Sequence, residues 1–133
     1  MFKNAKADDW IVMASALEAA ATGLVLFIRP SLFAWLIFEG EFTGAGQALA
    51  RLAAIALFGL ALATWPTPAA AVRAATRALL IYNLLATIYL AYVGHSGLLT
   101  GILLWPAAVL HALFSILLGR MWLAAEQRQD LSP

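Results

Sequence analysis

Residues 10–28 run WIVMASALEAAATGLVLFI, and Glu18 is the one charged residue among them. The hydrocarbon core of a bilayer is roughly 30 Å thick, and a helix rising 1.5 Å per residue crosses it with about 20 mainly apolar residues. This stretch therefore reads as a membrane-spanning helix. Arg29-Pro30 closes it, since proline has no N–H with which to continue a helical ladder. Three more stretches of the same kind follow at 48–65, 69–93 and 98–122. Leucine and alanine dominate all four and period-2 alternation is absent, so helices are expected over a membrane β-barrel.

The intervening segments complete the expected fold. Trp65-Pro66-Thr67-Pro68 separates the second span from the third, and Gly94-His95-Ser96-Gly97 reads as a tight turn before the fourth. Ser31–Phe38 is too short to cross, and its aromatic content suits a helix lying at headgroup level. Glu39–Gly46 reads as an exposed acidic loop. The expectation is an all-α, integral membrane four-helix bundle forming one domain over 1–133, with a short interfacial helix between helices 1 and 2.

Composition excludes most other classes. Of 133 residues, 64% are hydrophobic and 11% charged, with a mean hydropathy of +0.88. Soluble domains average about 45–50% apolar and about 25% charged residues, so a soluble enzyme or a disordered tail is a poor reading. A net charge of +1 gives no basic field for nucleic acid. With no cysteine there is no disulfide, iron–sulfur or thiol chemistry, and His95 and His111 alone are too few for a structural zinc site, so no metal is expected. Haem finds a single deep ligand, His111, with Met13 and Met121 nearer the surface.

Lys3 and Lys6 before an apolar run imitate a signal peptide, but Asp8, Asp9 and Glu18 break that pattern, so a retained first helix is expected. Basic residues set orientation. Lys3, Lys6, Arg73, Arg77, Arg120 and Arg128 share one side, against Arg29 and Arg51 on the other. Both termini are therefore expected in the cytoplasm.

Polar groups within spans are costly and mark function. Glu18 lies eight residues past Trp10, roughly 12 Å deep, with Ser15 and Thr22 on its face. Asn83 lies six residues past Arg77, roughly 9 Å deep, and His111 nine residues before Arg120, roughly 13 Å deep. Three helices thus contribute to one layer, which Thr87 and Ser115 are expected to extend. A carboxylate beside an imidazole shares a proton readily, because histidine titrates near neutral pH. The pair could relay protons, hold a quinone carbonyl or bind a cation; equally, Glu18, Asn83 and His111 could simply join helices. Tyr82 adjoins Asn83 as a further candidate. Arg51 is expected to snorkel outward to Glu39 or Glu41, with a buried pair to Glu18 as the alternative. Pro106, inside the expected fourth span, is a tolerated proline or a kink that aims His111.

The first-helix glutamate, Ala50-Arg51-Leu52-Ala53, Leu80-Ile81-Tyr82-Asn83-Leu84 and Leu104-Trp105-Pro106-Ala107-Ala108-Val109-Leu110-His111-Ala112 together resemble small DoxX-like four-helix proteins of the bacterial inner membrane. That resemblance covers most of the chain and implies a link to quinone-reducing membrane complexes. The expected function is an accessory or anchoring subunit of a larger membrane complex, with no catalysis of its own. Its expected partners are the lipid bilayer and either other membrane subunits or a second copy. The alternatives are a homodimeric proton-coupled transporter working through Glu18, and a quinone- or lipid-binding protein. Quinone or lipid is the cofactor class to consider, though nothing in the sequence requires one.

Overall fold

The computed structural model describes residues 3–65, 72–97 and 99–130, with side chains over 9–127 of that span. Five helices follow in order: α1 (Lys3–Ile28), α2 (Pro30–Phe38), α3 (Gly44–Thr64), α4 (Val72–Ser96) and α5 (Leu104–Asp130). All but α2 are long and apolar enough to cross a membrane. The molecule is a multi-pass transmembrane four-helix bundle carrying one short extra helix. The Pro66–Pro68 connection lies outside the described residues.

Side chains are distributed as a lipid solvent demands. Leu62, Leu85, Val109 and Ile116 each stand more than half exposed, whereas Ala16, Ala19, Ala54 and Ser15 are almost fully buried. Lipid tails are as apolar as leucine, so helices gain little by hiding leucine and gain more from close approach of small residues. At Gly23, where α1 meets α3, an added Cβ would sit 3.2 Å from the Ala54 carbonyl oxygen. The helices form two tight pairs, α1 with α3 and α4 with α5, which meet along a looser seam. Val12, Ala75, Leu79 and Leu118 pack together at the end carrying the chain termini, and Ile37, Leu90 and Ala108 at the opposite end, beneath α2.

Local chemistry sets the boundaries. Pro30 opens α2 at a position where no N–H is required. Gly97, at φ +69°, turns the chain out of α4. That helix runs on to Ser96, so the expected turn begins at Gly97 and leaves Gly94 and His95 helical. The fourth helix also starts six residues later than the apolar pattern places it, at Leu104. The residues before it dock on α2: the Leu103 N–H donates to the Leu36 carbonyl at 2.8 Å, and Gly101 is buried against the backbone of Ile37. Pro106 consequently falls in the first turn of α5, where its missing N–H costs no helical bond. The kink considered for it has no cause there.

Candidate functional site

Glu18, Asn83 and His111 meet along the seam. Asn83 is fully buried, and its Nδ2 donates both to Ser15 Oγ and to the Leu79 carbonyl, each at 2.8 Å. A carbonyl oxygen only accepts, so the atom facing Leu79 must be the amide nitrogen, and this fixes which way the amide points. Its Oδ1 then faces His111 Nδ1 at 2.8 Å. Since Oδ1 can only accept, Nδ1 carries the hydrogen.

The other ring nitrogen, Nε2, stands 3.8 Å from Glu18 Oε1, an ion-pair distance too long for a hydrogen bond. Thr22 Oγ1 donates to that same oxygen at 2.9 Å. Glu18 Oε2 is buried and has no hydrogen-bond partner, an exception to the rule that buried polar atoms are satisfied. Tyr82 packs edge-on to the His111 ring, with centroids 5.4 Å apart. A polar chain thus runs Ser15–Asn83–His111–Glu18–Thr22, hydrogen-bonded at every step but the 3.8 Å one between His111 and Glu18, and brings α1 together with both α4 and α5.

Glu18, Thr22 and His111 border a cavity of about 420 Å³ whose remaining lining is apolar. Ala21 and Val25 of α1 and Pro106 and Leu110 of α5 line it and are exposed, so the cavity opens sideways between these two helices. Phe33, Leu36 and Ile37 of α2 close it toward one end of the bundle. Sequence reasoning missed this α2 contribution, because α2 is seated over the site by tertiary packing on α1, α3 and α5 and by the docking of 99–103. Among the described residues, no three of His, Asp or Glu gather as a metal-ligand set.

Several sequence expectations are redirected. Thr87 and Ser115 do not extend the layer: each hydroxyl donates to the carbonyl four residues earlier on its own helix, Asn83 and His111 respectively, at 2.8 Å. Arg51 stays apart from Glu18, and among the described residues it forms no ion pair with Glu39 or Glu41. Its Nε donates to the Phe27 carbonyl at 3.4 Å, placing a cation on the last turn of α1, where the helix dipole favours one. Glu39 is engaged instead by Thr100, whose Oγ1 donates to it at 2.6 Å. Of the α2 aromatics, Trp35 is exposed, while Phe33 and Phe38 turn inward and pack edge-to-face.

The amide geometry makes a direct prediction. In nitrogen-15 spectra of the full-length protein, His111 Nδ1 should show the signature of a protonated ring nitrogen, with His95 as the internal comparison. An unprotonated Nδ1 would contradict the arrangement.

Searches of protein-family models, of curated proteins and of solved structures each find no match to this chain.

Proposed function

We propose that this is a binding protein of the bacterial inner membrane, with both termini cytoplasmic, that holds a lipophilic small molecule by its polar head at Glu18 and His111. One observation carries the reading: the apolar cavity of about 420 Å³ has Glu18, whose Oε2 is without a hydrogen-bond partner, and His111 at its border. That volume lies within the range of small-molecule pockets, which are typically apolar with a few convergent polar groups. A quinone or quinol head on an apolar tail is the chemical class we favour, and the DoxX-like resemblance supports the same class.

An accessory role in a larger membrane complex is compatible with ligand binding. The exposed Trp35 supports it. The homodimeric transporter draws less support, because Glu18 is engaged by Thr22 and His111 of its own chain.

The test is native mass spectrometry of the protein released from its own membranes in mild detergent. A small lipophilic adduct is expected on the wild type. Ala107→Phe, which fills the cavity, should lower its occupancy at least roughly tenfold while helix content is retained. An adduct that persists undiminished on the filled variant would sink the reading, and co-purified larger subunits would establish the accessory role.

A further inference from the structure

Resting on that binding role, we infer that the Glu18–His111 pair selects ligands whose head is a hydroxyl group, because it presents one donor and one acceptor together. Asn83 occupies Nδ1, so His111 has only Nε2 left to offer. Thr22 occupies Glu18 Oε1, so the carboxyl has Oε2 left to offer. What these two atoms present depends on how many exchangeable protons they share.

Charge decides that number. With no proton the pair is a bare anion, and with two it is a bare cation. Among the described residues, Glu18 and His111 are the only titratable ones bordering the cavity, and Arg51, the base considered as a partner for Glu18, is committed to α1. An uncompensated charge at this depth is expensive in either sign. One shared proton leaves the site neutral overall. If it sits on Nε2, the ring donates and Oε2 accepts; if it sits on the carboxyl, Oε2 donates and Nε2 accepts. Either way a guest meets one hydrogen to accept and one lone pair to satisfy.

A hydroxyl does both. A carbonyl or ether oxygen only accepts, and would leave a buried acceptor orphaned; an ammonium only donates. The geometry agrees. The 3.8 Å between Nε2 and Oε1 is too long for direct bonding, so ring and carboxyl stand side by side without closing on each other, and a guest hydroxyl that bridges them needs Oε2 turned toward the ring. The terminal torsion of glutamate is soft enough to supply that adjustment.

The experiment uses the full-length protein in nanodiscs and three probes of matched length: para-heptylphenol, its O-methyl ether and para-heptylbenzylamine. Calorimetric titration should show the phenol binding roughly tenfold or more tightly than the ether, and more tightly than the amine. Glu18→Gln carries the donor and acceptor of a protonated carboxyl and should retain the preference, whereas the double variant Glu18→Leu/His111→Leu, which removes the carboxyl and the Nε2 lone pair together, should erase it. Phenol and ether binding alike to the wild type would overturn this inference and leave the binding role standing, as would an amine that binds tightest. Binding of none of the three would remove the binding role itself, and this inference with it.

Discussion

Gly101→Ala will unseat α2 and destabilise the bundle by about 2–4 kcal/mol, the upper range for overpacking combined with a lost backbone hydrogen bond. The added methyl would fall on the Ile37 carbonyl group and 2.5 Å from the Leu36 oxygen. These are backbone atoms held within a helix, so no side-chain rotation relieves the contact. The neighbouring Leu103–Leu36 hydrogen bond would stretch or break as α2 moves away. Gly59→Ala is the matched comparison. It lies in the interior of α3, and a Cβ there meets nothing within 4 Å. Alanine should therefore be neutral or stabilising by roughly 0.5–1 kcal/mol. Denaturation in mixed micelles, followed by helical circular dichroism, separates the two. Equal stability of both variants would show that α2 is not seated through Gly101. Because Phe33, Leu36 and Ile37 line the cavity, the Gly101 variant should also lose ligand.

Asn83→Ala is expected to cost about 2 kcal/mol and to weaken ligand binding at least roughly tenfold. Two opposing magnitudes bound the first figure. Interhelical hydrogen bonds in membrane proteins average about 0.6 kcal/mol, because the unfolded chain in lipid also finds partners. Leaving a buried polar group unsatisfied costs about 1–3 kcal/mol. Asn83 serves both Ser15 and His111, so its removal forfeits two interhelical bonds and orphans two buried groups. The binding loss has a separate origin, since the His111 ring loses the partner that orients it. Ser15→Ala separates these effects: it removes the contact to α1 but leaves the Asn83–His111 bond in place. It should lower stability less than Asn83→Ala and spare binding. If Ser15→Ala weakens binding as much as Asn83→Ala, the orienting role of Asn83 is wrong.

The polar layer was legible because helical rise is fixed. Counting residues inward from span ends puts Glu18, Asn83 and His111 at one depth, and the structure joins them. What hydropathy cannot distinguish is an apolar helix from an apolar strand of loop. Residues 99–103 are as hydrophobic as the spans they adjoin, yet they pack non-helically on α2. The late start of α5 and the harmless position of Pro106 follow from that docking, which also helps seat α2 over the cavity. Thr87 and Ser115 share the depth and face of the layer, but a hydroxyl can turn back to its own helix. Periodicity carries no information about that choice. Arg51 is exposed as expected, but its partner was not legible for a similar reason: residue counting sees nearby acids and is blind to the unpaired carbonyls at the end of a neighbouring helix.

The placement of the cavity has a consequence for the posture of whatever occupies it. Its polar border at Glu18 lies ten residues below the Ile28 end of α1, roughly 15 Å down the helix. Beyond Thr22, one turn further along α1, the lining is apolar as far as the covering helix α2. A phospholipid of that leaflet is arranged the other way, with its head at the surface and its tails at the midplane. The guest must therefore lie upside down relative to its lipid neighbours, head inward and tail toward the surface. Molecules that dwell at the bilayer midplane and slip sideways between α1 and α5 can take up that posture, whereas a lipid bearing a charged phosphate would have to drag it through hydrocarbon to do so. Depth and orientation together would sort guests before any hydrogen bond is made.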